Sequence, residues 1–212
     1  FLLFIPVLFA MVFMAGAKVK HLLAVVLIAL LASPFALLFM KDYQKTRIIG
    51  LFKQNTSDVD WLNGSGYQLH KSKMSIGSGG VFGQHQNGIF VKYPLLPDRH
   101  NDFIFAMIGH QWGLIGCCFV LLLYLLLFLG AVEISANQPD AFGKLVTMGI
   151  AALLITQMFV NIAMTMGLAP VTGMTLPFIS YGGSSLVCNF ITLGLLTNIA
   201  RHRNHTISRM RR

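Results

Sequence analysis

The sequence predicts an all-α membrane protein, a polytopic helix bundle with a long ordered extracytoplasmic loop. Hydrophobic residues make up 55% of its 212 residues and charged residues only 11%, whereas a soluble domain carries about a quarter charged residues. The mean hydropathy is +0.69. Apolar stretches recur at close to the roughly 20 residues that a helix needs to cross a bilayer. Because backbone groups in lipid must be bonded within their own segment, these stretches are predicted to be helices.

Five apolar stretches are predicted to be spans, and the first is the shortest. They cover residues 1–16, 21–40, 103–130, 145–168 and 175–200. The chain begins at Phe1 within a hydrophobic run, with neither an initiator Met nor a charged segment before it. We therefore interpret it as part of a longer membrane protein rather than as a chain that starts with a signal peptide.

The basic residues predict the orientation of the spans. Lys18 and Lys20 lie in a short loop, and the tail 201–212 is rich in arginine. Short basic segments stay in the cytoplasm, and four crossings place both of these segments on that side. The segment 41–101 then lies outside, since long loops are translocated regardless of charge. Its spaced aromatic residues and glycines lead us to expect an ordered lid of short helices and turns.

The composition also excludes several classes of protein. The apolar content is too high for intrinsic disorder. The three cysteines are an odd number and lie in apolar runs, which argues against a disulfide-rich scaffold. The histidines and acidic residues around the start of the third span match no zinc-binding spacing, so no resident metal is predicted. These residues are His85, Asp98, His100, Asp102 and His110.

Asp102 stands where the polar loop ends and the third apolar stretch begins. One interpretation is a helix N-cap, in which Asn101 or Asp102 accepts backbone N–H bonds at the positive end of the helix. The other interpretation is a carboxylate that acts as a general base at the lipid–water boundary. A single residue can serve both purposes, so both interpretations remain open on these grounds.

The loop 41–101 contains basic residues that could neutralise a phosphate or pyrophosphate group arriving from the membrane. They include Arg47, Lys71, Lys73, Lys92 and Arg99. A solvated surface, or contact with anionic lipid headgroups, explains the same charge equally well. The glycine-rich stretch 76–80 around Ser78 is either a flexible turn or a backbone that approaches a ligand closely. Nucleic acid is not expected as a partner, because this loop faces away from the cytoplasm.

The last two apolar stretches contain polar and helix-breaking residues. Pro177, Gly182 and Gly183 are expected to break or kink a helix, with nearby serines bonding the freed carbonyls. Small residues there would equally permit close helix packing. Gln157 and Asn161 are four residues apart and therefore share a helix face, which we expect to point into the bundle.

Taken together, several motifs resemble the SEDS family of bacterial shape, elongation, division and sporulation proteins, which includes RodA and FtsW. The resemblance covers nearly the whole chain, and the Ile-Gly-Ser-Gly-Gly and Pro-Asp-Arg-His stretches are more similar to RodA. The motifs are Asp42-Tyr-Gln-Lys-Thr-Arg-Ile48, Gly66-Tyr-Gln68, Ser72-Lys-Met-Ser-Ile-Gly-Ser-Gly-Gly80, Leu96-Pro-Asp-Arg-His-Asn-Asp-Phe-Ile-Phe-Ala106 and Gly167-Leu-Ala-Pro-Val-Thr-Gly-Met-Thr-Leu-Pro-Phe-Ile-Ser-Tyr-Gly-Gly-Ser-Ser185.

The resemblance implies that residues 1–212 are the C-terminal part of one multi-pass domain in the bacterial cytoplasmic membrane. Family members polymerise lipid II into glycan strands outside that membrane, with a class B penicillin-binding protein as partner. The family's essential aspartate falls on Asp102, which implies a general base for the attacking sugar hydroxyl. Candidate residues for binding the lipid II pyrophosphate are Arg47, Lys73, Ser78 and Arg99. No cofactor is implied as required, and a contribution from a divalent cation stays open.

Some residues depart from the family pattern. Pro97-Asp98 stands where the family commonly has Pro-Glu, and Asn101 stands in place of Thr. The family's Glu-Glu-x-Gly is here His110-Gln111-Trp112-Gly113, so two carboxylates near the site are lost. Two alternatives to the glycosyltransferase stay open. One is a transporter that flips lipid-linked precursors, favoured by the broken helix and the Gln157 and Asn161 face. The other, which the loss of the two carboxylates favours, is a non-catalytic scaffold that recruits the crosslinking enzyme.

Overall fold

The computed structural model describes residues 3–39, 41–53, 66–84 and 101–210, and in these ranges the chain forms helices joined by turns, without strands. The predicted all-α class is confirmed. The helices are α1 (Phe4–Met14), α2 (Val19–Phe39), α3 (Asp42–Lys53), α4 (Tyr67–Ser78), α5 (Ile104–Ala136), α6 (Ala141–Met166) and α7 (Gly183–Met210).

Three of the described helices are long and apolar enough to cross a membrane. They are α5, α6 and the part of α7 that covers Gly183–Arg201. Two shorter apolar helical segments, Phe4–Met14 and Val19–Ala32, precede them. Length and apolar composition together identify the chain as a membrane protein. Of the segment predicted as an ordered loop, the described part holds helices α3 and α4.

Helix boundaries in the second half of the chain follow from local chemistry. α6 begins after Asp140, whose Oδ2 accepts a hydrogen bond from the backbone N–H of Gly143 at 3.1 Å, an N-cap interaction. α7 begins at Gly183, eight residues later than the stretch predicted from residue 175. Residues 167–182 are not helical. Pro177 lies within this interruption and lacks the N–H that a helix would require there.

Two compact units can be distinguished, and each is described by itself. Unit one comprises Phe1–Ser33, Leu123–Gln157 and Gly183–Arg212. Within it, the Met11 side chain of α1 packs against Gly149 of α6, where a built Cβ would lie 3.0 Å from the Met11 sulfur. Ser135 Oγ near the end of α5 donates to the Lys144 carbonyl at 3.1 Å, which ties two successive helices together.

Unit two comprises Pro34–Leu122 and Met158–Gly182. It contains α3, α4, the first part of α5, the end of α6 and the non-helical segment 167–182. Its core includes Leu69, Phe103, Phe105, Met164 and Leu176, all at most 5% exposed. This unit carries Arg47, Lys73, Ser78 and Asp102, the described residues that the sequence proposed for catalysis and pyrophosphate binding.

Helix α5 is broken at Gly113, which has φ 65° and ψ −157°. The break removes the local partners of the next backbone N–H groups. The turn 79–84 supplies replacements: Leu114 N–H donates to the Gly80 carbonyl at 3.0 Å, and Ile115 N–H donates to the Val81 carbonyl at 3.3 Å. Non-helical backbone is tolerated at membrane depth when protein satisfies it in this way. The remaining helix, 114–136, is about 34 Å long and can still cross a hydrocarbon core of about 30 Å.

Candidate active site around Asp102

Asp102 lies immediately before α5 and is half-buried. Phe103 directly precedes α5, and its carbonyl accepts bonds from Ala106 N–H at 3.1 Å and Met107 N–H at 3.3 Å. Phe103 is 1% exposed and Ala106 is 0% exposed, so the first turn of α5 is anchored in the core of unit two. The buried neighbours thereby hold Asp102 at a defined place at the end of a rigid helix.

Two side chains from distant parts of the sequence hold the backbone at Asp102. Asn161 Nδ2, on α6, donates to the Asp102 carbonyl at 2.9 Å and also to the Met174 carbonyl. Ser180 Oγ donates to the Asn101 carbonyl at 2.6 Å and accepts a bond from Leu176 N–H at 2.7 Å. Two successive carbonyls before α5 are therefore tied to the segment 167–182.

The carboxylate of Asp102 lies against Gly173. A Cβ built on Gly173 would be 3.4 Å from Asp102 Oδ2, and Gly173 has φ +70°, a conformation that L side chains rarely adopt. Phe178, later in the same segment, also has a positive φ of 64°. Such a conformation persists in a bulky residue only where the surrounding structure enforces it. The segment 167–182 is therefore a constrained wall of the site.

Arg47 reaches the same segment from α3. Its Nη1 donates to the Val171 carbonyl at 2.8 Å, and its side chain is exposed. Arg47 and Asp102 therefore contact positions 171 and 173, two residues apart in the chain. A guanidinium carries five N–H donors in a planar fork, which suits the oxygen atoms of a phosphate.

Ser78 and Lys73 lie on α4, and Ser78 takes part in several hydrogen bonds. Ser78 Oγ donates to the Ser75 carbonyl at 2.9 Å and lies 2.9 Å from His110 Nδ1 on α5. Gln84 Nε2 donates to the Ser78 carbonyl at 2.7 Å. Lys73 is exposed. His110, which replaces an acidic residue of the family pattern, thus contributes to holding α4 against α5.

A second buried hydrogen bond attaches α4 to α6. Ser72 is 0% exposed, and its Oγ donates to the Thr165 carbonyl at 2.8 Å. α4 therefore has polar contacts with both helices that carry residues of the Asp102 site. Its position in unit two is fixed by these contacts as well as by the buried side chain of Leu69.

Several residues proposed from the sequence lie outside the described residues. They are His85, Lys92, Asp98, Arg99 and His100. Within the described residues, no group of three or more His, Cys, Asp and Glu side chains is placed to hold a metal ion.

Sequence reasoning placed Asp102 and Arg47 as candidates but missed their connection through the segment 167–182. It grouped Asn161 with a polar helix face without assigning it a partner. The available signal was an uncharged amide in an apolar stretch, since such residues in a membrane helix are retained for specific contacts. The pairing of Ser78 with His110 had no local signal, because 32 residues separate them.

Comparison with known proteins relates the whole arrangement to one family. Residues 1–205 match the family model of cell cycle proteins FtsW, RodA and SpoVE. Stage V sporulation protein E of Bacillus subtilis is 35% identical over 195 residues, covering 92% of this chain and 52% of the relative. The peptidoglycan glycosyltransferase MrdB of Escherichia coli K12 is 37% identical over 181 residues, covering 85% of this chain and 48% of the relative.

A solved structure is similar over most of the chain. It comes from work on the "structural coordination of polymerization and crosslinking by a peptidoglycan synthase complex" and superposes with a TM-score of 0.77 at 30% identity. The alignment covers 95% of this chain and 55% of the other. The chain spans about half the length of the curated relatives it matches. It belongs to the FtsW/RodA/SpoVE family of cell cycle proteins.

Proposed function

We propose that the full-length protein is a peptidoglycan glycosyltransferase, which polymerises lipid II into glycan strands at the outer face of the bacterial cytoplasmic membrane for cell elongation and shape. Relatives named peptidoglycan glycosyltransferase support this, among them MrdB of Escherichia coli. The structural observation that carries it is Asp102, held before α5 with its carboxylate against Gly173. A carboxylate fixed at the end of a membrane helix is well suited to act on a lipid-linked substrate.

In the proposed reaction, Asp102 acts as the general base. It takes the proton of an acceptor sugar hydroxyl while that oxygen attacks the anomeric carbon of the donor. The bond from the anomeric carbon to the lipid pyrophosphate breaks, and the pyrophosphate leaves with the electron pair. A sugar hydroxyl is a weak nucleophile, so removing its proton as the bond forms lowers the barrier. The reaction needs no redox cofactor.

Basic residues would stabilise the charge of the leaving pyrophosphate. Arg47 is the best placed of the described residues, because it contacts the segment that also faces Asp102. Lys73 and Arg99 complete the proposed cationic set, and Arg99 lies outside the described residues. Ser78 is already bonded to Ser75 and His110, so contact with a pyrophosphate would require exchange of one of these bonds. A divalent cation could add to the positive charge.

The proposed partners are lipid II, membrane lipids and a class B penicillin-binding protein that crosslinks the product. The similar solved structure concerns a complex that coordinates polymerisation with crosslinking, which supports a partner of this kind. The proposed orientation places α3, α4 and Asp102 on the outer side and the basic tail in the cytoplasm. The positive-inside rule supports that orientation, because Lys18, Lys20 and the tail are basic. The anionic lipids of the cytoplasmic leaflet attract such basic segments.

The decisive test replaces Asp102 with Asn in the full-length protein and measures polymerisation of purified lipid II. The amide keeps the size of the side chain but cannot accept the proton. We expect the rate to fall about 10²–10⁴-fold, the usual contribution of a general base. The matched control is Asp140→Asn, because Asp140 caps α6 in unit one and should leave polymerisation unchanged. Polymer yield near that of the wild type from Asp102→Asn would contradict the mechanism.

A lipid-precursor transporter is the second candidate function. It is favoured by the interruption at residues 167–182 between two membrane helices, a feature that transporters use at their binding sites. A transporter would move lipid II across proteoliposome membranes even with the Asp102→Asn substitution. Polymer formed by the purified protein alone would exclude a purely scaffolding role.

A further inference from the structure

We propose that Asn161 is the positioning residue for Asp102. One amide group on α6 determines where the Asp102 backbone lies and where the segment opposite its carboxylate lies. The proposal deepens the proposed function, because it rests on Asp102 as general base. It concerns a residue whose side chain need not touch the substrate.

The hydrogen bonds determine the orientation of the Asn161 amide. Its Nδ2 carries two hydrogens and donates to the carbonyls of Asp102 and Met174. A flipped amide would turn its oxygen toward two carbonyl oxygens, where none of the three atoms has a proton to share. The site therefore requires a double donor at position 161, which neither an Asp nor a Leu side chain can supply.

The burial of Asn161 indicates that its donated hydrogen bonds, and not the filling of space alone, account for an amide at this position. The residue is 0% exposed, and its Oδ1 has no hydrogen-bond partner among the described residues. Burying an unpaired amide oxygen is unfavourable, whereas an apolar side chain would fill the same space without that cost. The two donated bonds are the feature that an apolar side chain would lose.

Both partners of the amide are adjacent to the reacting group. Asp102 carries the carboxylate, and Met174 follows Gly173, at which a built Cβ would lie 3.4 Å from Asp102 Oδ2. Asn161 thus fixes the carboxylate from its own backbone and from the facing wall. Ser180 bonds the Asn101 carbonyl instead, so it supports the same region from one residue earlier. A displacement of about 1 Å can cost about 10²-fold in rate, because general bases act only within hydrogen-bond reach.

The test compares Asn161→Leu and Asn161→Ser in the full-length protein, with steady-state polymerisation of lipid II as the assay. Leu removes both donors and keeps the branched shape in a larger side chain, while Ser keeps one donor in a smaller side chain. We expect kcat to fall about 10–10²-fold for Leu and less for Ser, with KM changed less than about threefold. Ser72→Ala is the control, since Ser72 is equally buried in unit two but bonds Thr165 rather than the Asp102 region.

A double-mutant comparison separates positioning from a general loss of stability. If Asn161 acts through Asp102, the Asp102→Asn substitution should reduce kcat much less in the Asn161→Leu background than in the wild type. Equal reductions in both backgrounds would overturn the proposal, as would a kcat of Asn161→Leu within about twofold of the wild type. The proposal would also be overturned if Ser72→Ala and Asn161→Leu had the same melting temperature and lost the same fraction of kcat. If Asp102→Asn polymerises lipid II normally, Asp102 is not the general base and the positioning role fails with it. If Asp102→Asn is inactive but Asn161→Leu has the kcat of the wild type, only the positioning role is refuted.

Discussion

Replacing Gly113 with Ala should destabilise the protein, although Gly→Ala substitutions within helices usually stabilise. Gly113 has φ 65° and ψ −157°, a region of backbone space open essentially to glycine alone. A Cβ there would overlap the backbone N of Gly83 and lie 2.5 Å from the Val81 carbonyl oxygen. The turn 79–84 would have to move away, and its bonds to Leu114 and Ile115 would be lost.

The expected magnitude follows from these two effects. The backbone conformation costs about 1–3 kcal/mol for a residue other than glycine. The two N–H bonds that the turn accepts contribute about 1 kcal/mol each. Together these give a loss of about 3–5 kcal/mol in the free energy of unfolding. If α5 straightens instead, the N–H groups of Leu114 and Ile115 can bond the carbonyls of His110 and Gln111. The loss in the free energy of unfolding is then smaller, but the turn 79–84 no longer has its bonds to α5.

The assay is unfolding of the purified full-length protein in detergent, combined with amide hydrogen exchange of the turn 79–84. The control is Gly130→Ala in the same helix, where nothing lies within 4 Å of a built Cβ. Gly130→Ala should be neutral or stabilise by up to about 1 kcal/mol, since Ala has the higher helix propensity. Equal stability of the two variants, with unchanged exchange in the turn, would refute the account of the break.

Two further substitutions test the segment that faces Asp102 and, separately, the attachment of α4 to α6. Gly173→Ala forces a side chain into φ +70°, beside the Asp102 carboxylate, which costs about 1–2 kcal/mol. Movement of the segment to relieve this strain changes its contact with the carboxylate, so lipid II polymerisation should slow, by about 5–30-fold when the whole cost enters the activation free energy. An unchanged rate would show that this wall adapts freely. Ser72→Ala removes the buried bond to the Thr165 carbonyl and should lower the free energy of unfolding by about 1–3 kcal/mol. Thermal unfolding measures this loss, with Ser184→Ala as the control because Ser184 is exposed. Equal melting temperatures of the two variants would contradict the prediction.

Local features of the sequence predicted the helices and the position of Asp102. Hydrophobic runs specify membrane helices because each run must satisfy its own backbone in lipid. Pro177 and the glycines after it predicted an interruption, and α7 indeed begins only at Gly183. The polar-to-apolar change at Asp102 marked the start of α5 to within two residues. The same local reasoning suggested that Asn101 or Asp102 accepts backbone N–H bonds at the start of α5, which stays a prediction. The Phe103 carbonyl accepts backbone bonds from Ala106 and Met107.

The break in α5 could not be predicted, because the apolar run 103–130 reads as continuous. Gly113 and Gly130 both lie in that run, and both would fit within a helix. Only Gly113 leaves the helical conformation. The difference is the turn 79–84, whose carbonyls bond Leu114 and Ile115 across more than thirty residues of sequence.

The resemblance to a family singled out Asp102 as the candidate general base, whereas the residues by themselves determined the class of protein and its apolar helices. These depend on properties that adjacent residues share: hydropathy, charge and backbone propensity. The tertiary structure decided what surrounds Asp102. Asn161 is 59 residues away from it in sequence, and Ser180 is 79 residues away from Asn101, yet their side chains hold two successive carbonyls. The partner of a buried polar group is chosen by the packing of distant segments, so no local pattern specifies it.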